Sequence, residues 1–125
     1  MNSPWQFAGL KTGSGNVLKD YLCKDKGVQA RVDSFLRRLR VKDQWKMPDY
    51  RPLGSGWGEV RFDYQNVEYR LYGYFGPAAR QFTVFLVGDE KKHQPRNIER
   101  AGRIKTQIDE LRKQGKQPMV EPYYV

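Results

Sequence analysis

Hydrophobic positions change spacing along the 125-residue chain, and each change marks an element. The stretch WQFAGLKT, Trp5 to Thr12, alternates weakly and predicts a first strand. In SGNVLKDYLC, Val17, Leu18, Tyr21 and Leu22 fall at helical spacing, with Ser14 or Asn16 available as the N-cap. GVQARVDSFLRRLR continues with Val28, Val32, Phe35, Leu36 and Leu39 on one stripe and Arg31, Arg37, Arg38 and Arg40 off it. Together these segments predict a helical hairpin broken near Gly27.

Between Trp45 and Gly58, the residues Pro48, Pro52, Gly54, Gly56 and Gly58 predict a connecting loop. EVRFDY then sets Val60, Phe62 and Tyr64 against Glu59, Arg61 and Asp63, and VEYRLYGYF sets Val67, Tyr69 and Leu71 against Glu68, Arg70 and Tyr72. Gln65 and Asn66 between them suit a tight hairpin turn. After the bend GPAAR, QFTVFLV is apolar on both faces and predicts an inner strand. The last periodic segment, PRNIERAGRIKTQIDELRKQ, opens with Pro95 at a first helical position. It aligns Ile98, Ala101, Ile104, Ile108 and Leu111, with Arg96, Arg100, Arg103 and Lys105 on the other face. The tail, about residues 115–125, has no period and is expected to be irregular and without a role. No repeat or boundary divides the chain, so a single domain over 1–125 is expected.

Composition supports a folded chain: 38% of residues are hydrophobic, and three Trp, eight Tyr and six Phe are too many rings for a disordered one. Lys and Arg number 23 against 14 Asp and Glu, a net charge of +9 that attracts polyanions, nucleic acid first and an anionic membrane second. No run approaches the roughly 18 to 20 apolar residues of a membrane span, and MNSPWQF lacks the features of a signal peptide, so no membrane association is expected and the cytoplasm is the expected compartment. Cys23 and His93 are each the only residue of their type, which rules out an internal disulfide and an ordinary zinc site. Cys23 is expected to be a small packed or exposed residue in its helical pattern. The glycine run GSGWG lacks a following GK[ST] and leads into a strand, so it is expected to be a turn. Neither a metal nor a small-molecule cofactor is expected.

A two-residue hairpin loop places Arg61 opposite Arg70 and Asp63 opposite Glu68 on the polar side of the sheet. Like charges directly opposite destabilise a sheet. Two arrangements relieve this: diagonal pairing of Arg61 with Glu68 and Asp63 with Arg70 in an exposed cluster, or convergence of both arginines on a phosphate. Further on, FLVGDEKKHQP ends a strand at Gly88 and delivers Lys91, Lys92 and His93 to the rim of the sheet, with Pro95 fixing the start of the next helix. Cleaving RNA without a metal requires removing a proton from a 2′-hydroxyl, stabilising charge on phosphorus and protonating the leaving oxygen. Arg and Lys serve the second requirement. His93 is the one side chain suited to proton exchange near neutrality, and neighbouring cations favour its base form. A lysine, a tyrosine or ribosomal RNA would have to supply the remaining transfer.

Two helices followed by PLGSGWGEVRFDYQNVEYRLYGYF and RQFTVFLVGDEKKHQPRNIERAGR resemble the RelE/ParE superfamily of bacterial toxins, and within it the HigB-like group of phage-derived proteins. The resemblance runs from about Val17 to Gln107. It rests on Trp57 to Phe62, on Glu68 to Leu71, and on Lys91 and Lys92 before Pro95 with Ile98 to Ala101 beyond. It implies an α+β fold of two N-terminal helices packed on a small antiparallel sheet with a C-terminal helix. It also implies a toxin that cuts messenger RNA in the ribosomal decoding site and is neutralised by a small antitoxin, often a helix-turn-helix protein. Carried over, Arg61 and Arg70 would stabilise the phosphate, and Lys91 and Lys92 would belong to the basic cluster. His93 departs from the usual polar run, and its role rests on its chemistry alone. Arg96 and Arg100 are the expected RNA-backbone contacts. Related toxins poison DNA gyrase instead, and a non-catalytic nucleic-acid binder also fits the charge. On the ribonuclease reading, Arg70→Ala is expected to abolish growth arrest with little loss of stability.

Overall fold

Asn16 and Asp25 start the two N-terminal helices. The Asn16 side-chain oxygen accepts from the Lys19 amide at 2.8 Å and caps α1, Val17–Leu22. Asp25 accepts from the amides of Gly27 and Val28 at 2.8 and 3.2 Å and caps α2, Lys26–Leu39. The break thus precedes Gly27, which sits in the first turn of α2. A β-carbon on Gly27 would collide with the Tyr64 hydroxyl, so the glycine serves close packing rather than a bend. The computed structural model describes every residue except Met1, Asn2, Thr12, Ser14, Cys23 and Glu90, and describes Lys91 by its backbone alone. The expectations for Ser14 as a cap and for Cys23 lie outside the described residues.

The fold is mixed α+β, with six strands and three α-helices among the described residues. The strands are β1 (Gln6–Leu10), β2 (Tyr50–Gly54), β3 (Trp57–Tyr64), β4 (Val67–Phe75), β5 (Gln81–Asp89) and β6 (Val120–Tyr123), and α3 spans Gln94–Lys113. They form one sheet in the order β2-β3-β4-β5-β1-β6. All pairs are antiparallel except β1 with β5, which run parallel with Phe7 opposite Phe82. The expected small antiparallel sheet is therefore corrected to a larger mixed one. Two short edge strands enlarge it, and the parallel β1–β5 pair makes it mixed. Within the expected loop, β2 pairs with β3, and its Pro52 is tolerated because an edge strand needs no donor on its open side. In the expected irregular tail, β6 pairs with β1 and buries Tyr123, whose hydroxyl donates to Asp33 at 2.6 Å.

Hydrophobic side chains divide between the two faces of the sheet. On one, Leu18 and Leu22 of α1 and Val32, Phe35, Leu36 and Leu39 of α2 pack against Val60, Phe62, Leu71, Phe82 and Val84. Each fully buried Val or Leu contributes about 1.5–3 kcal/mol. On the other, Ala101 and Ile108 of α3, with Ile98 and Ile104 at the margin, pack against Tyr72, Tyr74, Phe85 and Leu86. The consecutive Phe85 and Leu86 share this cluster because the β4–β5 register slips between Tyr72 and Gly73. The expected stripe of α3 holds as far as Ile108. Beyond it Leu111 is 37% exposed, and Arg112 covers the Tyr74 ring at 5.8 Å instead. Lys105, expected on the exposed face, is buried along its stem and pairs with Asp109 at 2.6 Å. Among the described residues, no helix is long and apolar enough to cross a membrane.

Candidate nucleic-acid interface

The hairpin forms in the expected register. Gln65 and Asn66 take φ values of 48° and 65°, both left-handed as a two-residue hairpin turn requires. Arg61 therefore lies opposite Arg70, Asp63 opposite Glu68 and Glu59 opposite Tyr72. Alternation puts all of them on the α3 side of the sheet. Arg70 in turn lies opposite Gly88 of β5, so Arg61, Arg70 and Gly88 form one row across three strands, spanning roughly 10 Å at the usual strand spacing.

The two arginines differ in environment. Arg70 is 1% exposed. Its Nη2 lies 2.9 Å from Glu68 Oε1 and its Nε 3.7 Å from Glu59 Oε2. Arg61 retains 27% side-chain exposure and places Nη1 3.2 Å from the same Glu68 oxygen. Of the expected diagonal pairs, Arg61–Glu68 is present, whereas Arg70 pairs with Glu59 and Glu68 in place of Asp63. The cluster is buried at Glu59 and Arg70, a correction to the exposed arrangement expected. Its cover is the first turn of α3. Gln94 Nε2 donates to Glu59 Oε1 at 3.0 Å, and Asn97 packs so closely over Gly88 that a β-carbon there would come within 2.5 Å of its amide nitrogen. Tyr72 completes the cluster. Burial, and then the charge of Glu59, raise its pKa against the opposing pull of Arg70.

Lys91, Lys92 and His93 form a single 3₁₀ turn between β5 and α3, held between two rigid elements as expected. Lys92 and His93 are exposed, and His93 occupies the N-cap position of α3 without a side-chain capping bond. The Lys91 side chain lies outside the described residues. Pro95 sits in the first turn of α3, and Arg96 and Arg100 are exposed along it. Among the described residues, no group of three or more His, Cys, Asp or Glu side chains could hold a metal ion.

Arg61 also opens onto a cleft of about 190 Å³ that it shares with Arg31 and Arg38 of α2, rather than with Lys92 or His93. The cleft exists because β2 stops short. Its ladder with β3 ends at the Tyr50–Val60 pair, with one further bond from the Arg61 amide to the Asp49 carbonyl, so the outer edge of β3 beyond Arg61 faces α2 directly. Sequence periodicity placed Arg31 and Arg38 off the buried stripe but gave them no partner across the sheet edge. It also missed Glu59, Gln94 and Tyr72. The register that sets Glu59 beside Arg70 was the available signal for Glu59, whereas Gln94 is recruited by the docking of α3. No family model, curated protein or solved structure significantly matches the chain.

Proposed function

We propose that the protein is a RelE-like toxin that cuts messenger RNA on the ribosome without a metal ion. On this reading it acts in the cytoplasm and is held in check by a small helix-turn-helix antitoxin. The observation that carries it is the in-register pair of Arg61 and Arg70, one side chain half-open at the sheet edge and the other fixed beneath it. A partly exposed guanidinium, held in place by a buried ion-pair cluster on the adjacent strand, suits a phosphate whose negative charge grows during in-line attack.

In this mechanism Arg61 contacts the scissile phosphate directly. Arg70, enclosed by Glu59 and Glu68, fixes Glu68 and through it the position of Arg61. His93 takes the 2′-hydroxyl proton as that oxygen attacks phosphorus, and Lys92 or ribosomal RNA protonates the departing 5′-oxygen. Lys91 adds positive charge at the same turn, while Arg96 and Arg100 hold the flanking backbone. The test is purified protein with translating ribosomes and mapping of mRNA ends, alongside Arg61→Ala. Cuts that disappear in the variant support the reading. Intact mRNA with inhibited supercoiling would favour a gyrase poison.

A second reading is a basic nucleic-acid-binding domain without catalysis. The burial of Arg70 between two carboxylates favours it, because a guanidinium so enclosed has no open side for a phosphate. Salt-dependent RNA binding without any cut, on or off the ribosome, would decide for it.

A further inference from the structure

The cleft between α2 and the outer edge of β3 is lined by three arginines, Arg31, Arg38 and Arg61, and three carboxylates, two of which are engaged by cations from outside it. Arg31 and Arg38 flank the same ring, their guanidinium carbons 5.8 and 5.4 Å from the Phe35 centroid. Arg31 Nε donates to the Asp63 carbonyl at 3.0 Å, which ties α2 to the end of β3. Arg61 enters from the sheet. Three carboxylates border the same space, but Asp49 pairs with Lys42 at 2.8 Å and Glu68 is shared by Arg61 and Arg70. The third, Asp63, meets Arg31 through its backbone carbonyl. Arg38 is exposed and lies over the Phe35 ring, and among the described residues it makes no ion pair.

We propose that this cleft is a phosphodiester-binding subsite for single-stranded polynucleotide, with Arg31 and Arg38 gripping a backbone phosphate next to the one contacted by Arg61. Its size argues for a chain over a free nucleotide. At about 190 Å³ it is smaller than the roughly 300–1,000 Å³ that encloses a whole small molecule, so it admits one phosphate while sugar and base continue outside. The floor is suited to arginine rather than lysine: Phe35 is buried, and its ring holds the planar guanidiniums in place before a ligand arrives. The subsite rests on the nucleic-acid reading above and is independent of whether the strand is cut.

The test is binding of a short fluorescent single-stranded RNA to the full-length protein, followed by anisotropy as salt is varied, for the wild type, Arg38→Gln and Arg37→Gln. Arg37 is exposed on the same helix and does not line the cleft, so its variant matches the charge change without touching the subsite. The expected result is that Arg38→Gln weakens binding about tenfold and lowers the slope of log K against log salt by about 0.7, one phosphate contact on a single strand, while Arg37→Gln leaves the slope unchanged. Equal effects of the two variants would overturn the subsite and leave a diffuse basic surface. RNA binding untouched by Arg38→Gln would overturn it as well, with the nucleic-acid reading intact. No RNA binding by the wild type at low salt would remove both. Inorganic phosphate and adenosine monophosphate, titrated against the arginine side-chain NMR signals, separate free anion from polymer. Shifts of Arg31 and Arg38 at far lower concentrations of RNA than of either small anion support the subsite, and equal potency overturns the preference for a chain.

Discussion

Arg61 and Arg70 face each other across the β3–β4 ladder and both reach the same Glu68 oxygen, at 3.2 and 2.9 Å. The carboxylate thus separates two like charges that the hairpin register forces together. Arg70 gains a second anion in Glu59, and α3 closes over both. A buried charge pair of this kind adds little net stability, but removing one partner leaves the other uncompensated.

Arg70→Ala is accordingly expected to cost about 3–5 kcal/mol, a large share of the roughly 5–15 kcal/mol of an ordinary domain. That replaces the small cost expected from sequence. Urea unfolding measures it, and a variant within about 1 kcal/mol of wild type would show that the cluster is not held as described. Replacing both partners, Arg70→Met with Glu59→Leu, should recover part of the loss because the apolar pair needs no counter-ion.

Arg61→Ala should separate stability from activity. Its side chain is partly exposed and its ion pair correspondingly screened, so the stability cost should stay within about 1 kcal/mol. On the ribonuclease reading, cleavage of ribosome-bound mRNA should fall about a hundredfold or more, the usual effect of removing a group that stabilises transition-state charge. Single-turnover cleavage assays with folded variant protein would show it, and unchanged cleavage would remove Arg61 from the chemistry.

Alkaline pH should unfold the protein through its buried phenols. Burial raises the pKa of Tyr50 from 10.0 to about 12, and that of Tyr74 upward from its usual value. A phenol with a raised folded-state pKa holds its proton in the native chain after the unfolded chain has lost it. Its contribution is therefore complete below pH 10 and declines as pH rises through 10 to 12, by about 1.4 kcal/mol per pH unit for Tyr50. Tyrosinate absorbance and circular dichroism recorded together should show these rings ionising with loss of structure. Full ionisation of all eight tyrosines in a still-native protein would contradict their placement.

Tyr123→Ala should cost about 3–5 kcal/mol, since it empties a buried aromatic site and strands Asp33 without its phenol partner. Tyr123→Phe isolates the hydrogen bond and should cost about 1–2 kcal/mol. Thermal melts of both variants test whether β6 is part of the folded unit, and wild-type melting of Tyr123→Ala would return the tail to irregular chain.

Much of this fold was legible because its signals are local. The stripe of Val28, Val32, Phe35, Leu36 and Leu39 marked α2, and Gln65–Asn66 between alternating runs fixed the hairpin and with it the Arg61–Arg70 register. Tyr50–Gly54 and Val120–Tyr123 were not legible as strands. Each contains a proline and carries little alternation, and each is a strand only because a neighbour offers it a ladder. The site divided in the same way. Register placed the arginines on one face, but the burial of Arg70 depends on α3 docking over β3 and β4. Nothing local to VEYRLYGYF reveals that cover. The cleft of Arg31 and Arg38 was hidden for a similar reason, since it depends on where β2 ends.

The parallel pairing of Phe7 with Phe82 has a consequence for how the chain is made. During synthesis β1 leaves the ribosome early, yet neither of its neighbours exists until β5 and then β6 have emerged. The β2–β5 meander can assemble from consecutive segments while that first strand waits unpaired, an aggregation-prone edge in the nascent polypeptide. Translation that stalls before residue 81 would leave β1 without a template, so completion of the sheet reports that the chain has been made through β5 and then β6.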